Sequence, residues 1–358
     1  MNIANLRILR MALGTALSMW FSQAMAWNMS FIAPVFTMFI LALPVPAIGL
    51  RGGVKFVLVL VSALLVGLLF LPFLLHQRLV GLLLLSLALF WSFFHTARGG
   101  SPVVGTFLTV GLSLATAVGT VSVDALLDLI QGVGTGACFG VAFVWVAHAI
   151  LPDSSASPES TRPPGKRPPP PPPPDVQTAG RLALRSLMIV MPILVWFLLS
   201  GSSASYAAVM IKVASMGQQV TTDQTSTAAR SLLISTVIGG IGAIIGWEIL
   251  SMWPSLLIYT LLIGLAGLVV GRRVFSGPGM LPTGGTWTYG YLTMIVLLAP
   301  AVLDGQGGGS ADAAFWSRLL MFFGATIYSV LAVYVFDAFK SSPRSDSIRI
   351  EEAQTKPI

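Results

Sequence analysis

The sequence predicts an all-α polytopic membrane protein of about 12 transmembrane helices, arranged as two parallel six-helix repeats with a pseudo-two-fold along the membrane normal. Three observations predict it. First, 55% of the 358 residues are hydrophobic and only 9% are charged, and the mean hydropathy is +0.85. A bilayer core of about 30 Å asks each crossing helix for roughly 20 apolar residues, and runs of that kind recur along the chain. Second, a run such as "KFVLVLVSALLVGLLFLPFLL" is apolar on every face, whereas a β-barrel strand alternates. Third, the two halves match at a shift of 175: Arg10 with Arg185, Ser30 with Ser205, Phe31 with Tyr206, Lys55 with Arg230, Gly67 with Gly242 and Arg98 with Arg273. Six spans per half, an even number, give both halves the same orientation.

Hydropathy breaks place the spans at about 7–26, 30–49, 55–75, 79–95, 102–121 and 126–151, then about 182–200, 204–223, 231–250, 254–271, 285–303 and 314–338. The first segment, "MNIANLRILRMALGTALSMWFSQAMA", imitates a cleavable signal peptide, with a basic start, an apolar run and an Ala-Met-Ala end. Its match to the seventh span, which cannot be a signal peptide, favours its retention.

Of the 20 Lys and Arg residues, only Arg78 and Arg318 fall on the side opposite the N-terminus, and Lys212 lies inside a span. This bias predicts cytoplasmic termini and accounts for the net charge of +7 without a nucleic-acid partner. The predicted layout is a first membrane repeat at 1–151, a cytoplasmic proline-rich linker at 152–180, a second repeat at 181–339 and a cytoplasmic tail at 340–358. The linker, "PDSSASPESTRPPGKRPPPPPPPD", cannot build a core and reads as an extended spacer, with an SH3-type ligand as the functional alternative.

Intrinsic enzymatic chemistry is not expected. The single cysteine, Cys138, sits in an apolar run and reads as packing. The three histidines show no metal-ligand spacing, and no nucleotide-binding loop, nucleophile elbow or zinc motif is present. Neither a cofactor nor a metal is therefore predicted.

Two segment pairs carry a family resemblance: "LRILRMALGTALSMWF" with "RLALRSLMIVMPILVWF", and "KFVLVLVSALLVG" with "RSLLISTVIGGIGAIIG". The chain resembles the fusaric acid resistance and aromatic acid exporter proteins of bacterial inner membranes, and more distantly the plant aluminium-activated malate transporters. The resemblance implies export of small aromatic or hydrophobic carboxylates, driven by the proton gradient, beside a periplasmic adaptor of the membrane-fusion type. It leaves an anion channel, a scaffolding membrane subunit and a homo-oligomer as alternatives. Many family members carry a sizeable cytoplasmic domain between the halves, which the short linker here does not provide.

Lys212 is the central candidate. Eight residues from the predicted start of its span, at about 1.5 Å each, put it roughly 12 Å into the core. A basic group there is expected to face a cavity or a partner. Lys212, Ser215, Gln219, Thr222 and Ser226 recur at helical spacing, with Gln218 and Asp223 flanking them, whereas the matching position in the first half is Thr37. These residues predict an organic-anion site that binds through the ammonium and releases when the amine deprotonates or when Asp223 competes. The structural alternative is a lysine paired with a buried carboxylate or lying nearer an interface.

Tyr206 is a candidate for stacking on an aromatic substrate, with an aromatic-belt anchor as the alternative, and Asp223 for proton coupling, with an ordinary loop aspartate as the alternative. Asp128 and Arg318 align in the repeat through Gly134 and Gly324, which predicts a periplasmic gate, against the alternative of two solvated charges. Trp287, Tyr289 and Tyr291 read as interface anchors, and Glu248 as a solvated interface carboxylate. Gly132, Gly136 and Gly140, and likewise Gly242 and Gly246, read as close-packing surfaces between helices.

Overall fold

The computed structural model describes residues 2–27, 29–152, 174–200, 207–222, 225–276, 279–306 and 311–341. Twelve helices are present among them: α1 (Ile3–Ala24), α2 (Ile32–Leu41), α3 (Leu50–His76), α4 (Arg78–Ala97), α5 (Pro102–Gly119), α6 (Val123–Ile150), α7 (Val176–Ser200), α8 (Ala207–Thr222), α9 (Thr225–Met252), α10 (Leu256–Val274), α11 (Gly284–Gln306) and α12 (Ala311–Ser341). A two-residue antiparallel ladder, β1 (Phe275–Ser276) with β2 (Gly279–Met280), turns the chain from α10 into α11. Eight of these helices are long and apolar enough to cross a bilayer.

The outer helices are greasy on the side that meets no protein. Leu79, Leu83, Leu87 and Trp91 form an exposed stripe at four-residue spacing on α4, and Leu257, Leu261, Leu265 and Val269 form another on α10. Such stripes are stable only against hydrocarbon. The polar residues lie inside instead, and the buried hydroxyls of Thr15, Thr37, Thr116, Thr236 and Thr326 bond back to the carbonyl four residues earlier. In a medium without water, that contact satisfies the hydroxyl within its own helix.

The second predicted span, at about 30–49, needs correction. Its helix has 10 residues, and Pro44 and Pro46 follow in non-helical chain. At 1.5 Å per residue, about 15 Å of helix crosses only half of the core. Every residue of α2 is buried. α8, with 16 residues, is likewise buried throughout Met210–Gln218. Together with α5 and α11 they form the interior of the bundle.

Within the first half α1 packs on α2 and α6, and α3 on α5. In the second half α7 packs on α8 and α12, and α9 on α11. The halves join along two seams, α1 against α10 and α4 against α7, with α5 against α8 between them. Glycines set the closest approaches: a methyl group on Gly140 would stand 2.8 Å from Phe36 Cβ, and one on Gly136 2.7 Å from Ile32 Cγ2, so α6 can lie on α2 only while both stay bare. Cys138, expected to pack inside, is exposed on the outer face of α6.

Candidate functional site

Lys212 lies on α8, and its side chain is 1% exposed. Among the described residues its Nζ has one hydrogen bond, donated to Thr293 Oγ1 on α11 at 2.9 Å. No carboxylate among them pairs with it. Thr293 in turn donates to the Tyr289 carbonyl at 2.9 Å. The Tyr289 hydroxyl lies 3.2 Å from Thr106 Oγ1 on α5, and its ring packs edge-on against Phe39 on α2, with ring centroids 5.7 Å apart. Thus a polar path runs from the amine along α11 to α5, and aromatic rings stand beside it.

On the other side of α8, Gln218 is fully buried. It donates to Thr109 Oγ1 on α5 at 2.8 Å and reaches Ser92 Oγ on α4 at 3.5 Å. Ser92 and Thr109 are themselves 2.8 Å apart. Gly105 makes room for this knot, because a methyl group there would stand 2.9 Å from Gln218 Oε1. α8 is therefore held by polar contacts on two sides, to α11 within its own half and to α4 and α5 across the midline.

Part of the predicted substrate face lies among the described residues. The Ser215 hydroxyl donates to the Lys212 carbonyl at 2.7 Å and so closes on its own helix. The side chains of Gln219, Thr222 and Ser226 lie outside the described residues, as do Tyr206 and Asp223 entirely. Gln218, noted only as a flanking residue, crosses to the first half. Its partners Ser92 and Thr109, and the lysine's partner Thr293, gave no sequence signal, because a serine or threonine in a span usually bonds its own helix.

Asp128 is exposed on α6, while Arg318 is buried on α12. α6 packs with α1, α2, α3 and α5, whereas α12 packs with α7, α8, α9 and α11. The two charges sit on helices whose principal neighbours differ. Tyr291, read as an interface anchor, is instead a core residue, 1% exposed, whose hydroxyl donates to the Ile263 carbonyl at 2.7 Å. Trp287 has the Arg273 guanidinium over its ring at 5.4 Å. Glu248 is exposed, as expected of an interface carboxylate. Among the described residues no group of His, Cys, Asp or Glu could hold a metal ion.

Eight helices long and apolar enough to cross a bilayer, with apolar side chains on their outer faces, define a multi-pass helical membrane protein. A family model described as a protein of unknown function (DUF2955) matches residues 7–147, from α1 into the last turn of α6. Neither a curated protein nor a solved structure matches the chain.

Proposed function

We propose that this protein is a bacterial inner-membrane secondary exporter of small organic anions, of the aromatic or hydrophobic carboxylate class, driven by the proton gradient. The observation that carries the reading is Lys212, an amine enclosed by protein whose hydrogen bond goes to a neutral hydroxyl. Removing an ammonium from water costs several kcal/mol, by order of magnitude, and a single hydroxyl contact offsets about 1 kcal/mol of that. A passing carboxylate supplies the missing counter-charge, and it is released when the amine gives up its proton. Tyr289 and Phe39 offer ring surface near the same path.

Two parallel repeats form the scaffold in this reading, with both termini cytoplasmic. The reciprocal seams, α1 on α10 and α4 on α7, are what a two-fold relating the halves requires. The likeness to the aromatic acid exporters and the placement of basic residues support the direction and the membrane, and a periplasmic adaptor is the partner the likeness implies. Since Asp128 and Arg318 lie in separate helix groups, the gate has no support from the packing and is left out of the mechanism.

The test is transport of benzoate by the purified full chain in proteoliposomes under an imposed proton gradient. Proton-coupled uptake that Lys212→Met abolishes, with the variant still folded, is expected. Benzoate current that ignores the proton gradient would make the protein an anion channel. Transport unchanged by Lys212→Met would end the site assignment, and no transport of any organic acid by the wild type would leave a scaffolding role.

A further inference from the structure

The seam where α4 meets α7 holds a cleft of about 140 Å³. The end of α3, the start of α4, the residue after α5 and the second half of α7 make its wall. Leu82, Val195 and Leu198 give it an apolar floor, while Leu75 and Leu199 are exposed at its rim, on the side that meets no protein. Two polar side chains complete the lining, Arg78 and Thr120. The Thr120 hydroxyl already donates to the Ala117 carbonyl at 3.0 Å. Arg78 is exposed, and among the described residues its guanidinium has neither a hydrogen bond nor an ion pair. No carboxylate lines the cleft.

Neither helix stability nor the charge bias accounts for Arg78. It opens α4, where the helix dipole disfavours a cation, and no acidic residue stands in that first turn. Basic residues gather on the side of the N-terminus, and Arg78 is one of two that the bias leaves opposite; the other, Arg318, is buried. A guanidinium at the mouth of a leucine-walled cleft thus awaits an anion, and what borders that outer surface is lipid. The volume is well below the about 300–1,000 Å³ of an enclosed small-molecule site. It suits a headgroup phosphate with the first carbons of a chain, the rest of the molecule lying against the exposed faces of α4 and α7.

We propose that the α4–α7 cleft holds one anionic phospholipid, with its phosphate on the Arg78 guanidinium and one acyl chain against Leu82, Val195 and Leu198. A guanidinium presents paired N–H donors that match phosphate oxygens, and the aliphatic wall meets the chain. A zwitterionic head would bring an ammonium that no lining carboxylate answers, so the cleft prefers a head of net negative charge. The cleft at the other seam, α1 against α10, is larger at about 290 Å³ but has no charged lining residue, and it offers no such preference. A lipid seated on α4 and α7 touches one helix of each half and so braces the seam from outside. The inference does not rest on Lys212 or on transport.

The experiment is native mass spectrometry of the delipidated full chain, titrated with dioleoyl phosphatidylglycerol and, separately, with dioleoyl phosphatidylethanolamine. The wild type is expected to keep one phosphatidylglycerol more tightly than the zwitterionic lipid. Arg78→Gln should weaken that binding roughly fivefold or more and erase the preference, as loss of one basic contact at a membrane surface implies. Because the Arg78 side chain bonds nothing else among the described residues, this variant should melt as the lipid-free wild type does. Arg272→Gln, at the exposed arginine near the end of α10, should bind as the wild type does. Val195→Trp, which fills the cleft from α7 and spares the arginine, should lower binding as well. Equal affinity of the wild type for the two lipids overturns the proposal, and so do equal losses in Arg78→Gln and Arg272→Gln, which would mean general charge attraction. Unchanged binding by Val195→Trp would remove the cleft as the location. Displacement of the lipid by glycerol phosphate or by benzoate at matching concentration would make the cleft a site for soluble anions instead.

Discussion

Gln218 on α8 donates a 2.8 Å hydrogen bond to Thr109 Oγ1 on α5, tying the second half of the chain to the first at a point where neither residue meets water. Replacing Gln218 with Leu removes the donor but leaves Thr109 its bonds to Ser92 and to the Gly105 carbonyl. The loss is therefore about 1 kcal/mol rather than the larger cost of a stranded group. Thermal unfolding in detergent should show a modest drop for Gln218→Leu. Thr109→Val, which leaves the Gln218 amide one partner fewer in a buried site, should cost more.

The contact between Lys212 and Thr293 gives a sharper prediction. Thr293→Val takes away the hydroxyl that receives the amine and should destabilise the protein by about 1–3 kcal/mol, more than Lys212→Met, which removes the amine needing the partner. The double variant should be close to Lys212→Met alone. A double-mutant cycle by equilibrium unfolding measures the coupling, and additive single effects would show that the 2.9 Å contact contributes nothing.

Glycine positions separate packing from propensity. Gly140→Ala sets a methyl group 2.8 Å from Phe36 Cβ and 3.1 Å from the Ala33 carbonyl oxygen, so α6 must move off α2. Gly180→Ala, near the start of α7, meets nothing within 4 Å. The first should lower thermal stability by about 1–3 kcal/mol through overpacking, and the second should raise it by up to about 1 kcal/mol through helix propensity. Opposite shifts in melting temperature are the readout.

Orientation is open to direct measurement. In a Cys138→Ser background, Gln77→Cys marks the exposed turn between α3 and α4, and Asp175→Cys marks the exposed chain before α7. The charge bias predicts that a membrane-impermeant maleimide added to intact cells labels position 77 and spares 175. The reverse pattern would invert the topology and place the basic residues outside.

The twelve helices were legible in the sequence because lipid imposes the same demand on every crossing segment, and a run such as residues 55–75 meets it on all faces. α2 was overextended for the same reason. "FIAPVFTMFILALPVPAIGL" is apolar enough to span, yet prolines 44 and 46 stop the helix at Leu41, and its greasiness serves burial among other helices. Lys212 stood out because a charge in an apolar run is rare. Gln218 and Thr293 did not, since which of several polar residues on a helix finds a partner depends on the neighbouring helix and its rotation.

By itself the sequence determined that the chain is a bundle of membrane helices and where a charge must be hidden, because hydrophobicity and charge act residue by residue. Only the tertiary structure decided which hydroxyl receives that charge, that Asp128 and Arg318 belong to separate helix groups, and that Gln218 meets Thr109 across the two halves. Those outcomes depend on distances between helices, and hydropathy carries no information about distance once every helix is soluble in the same lipid.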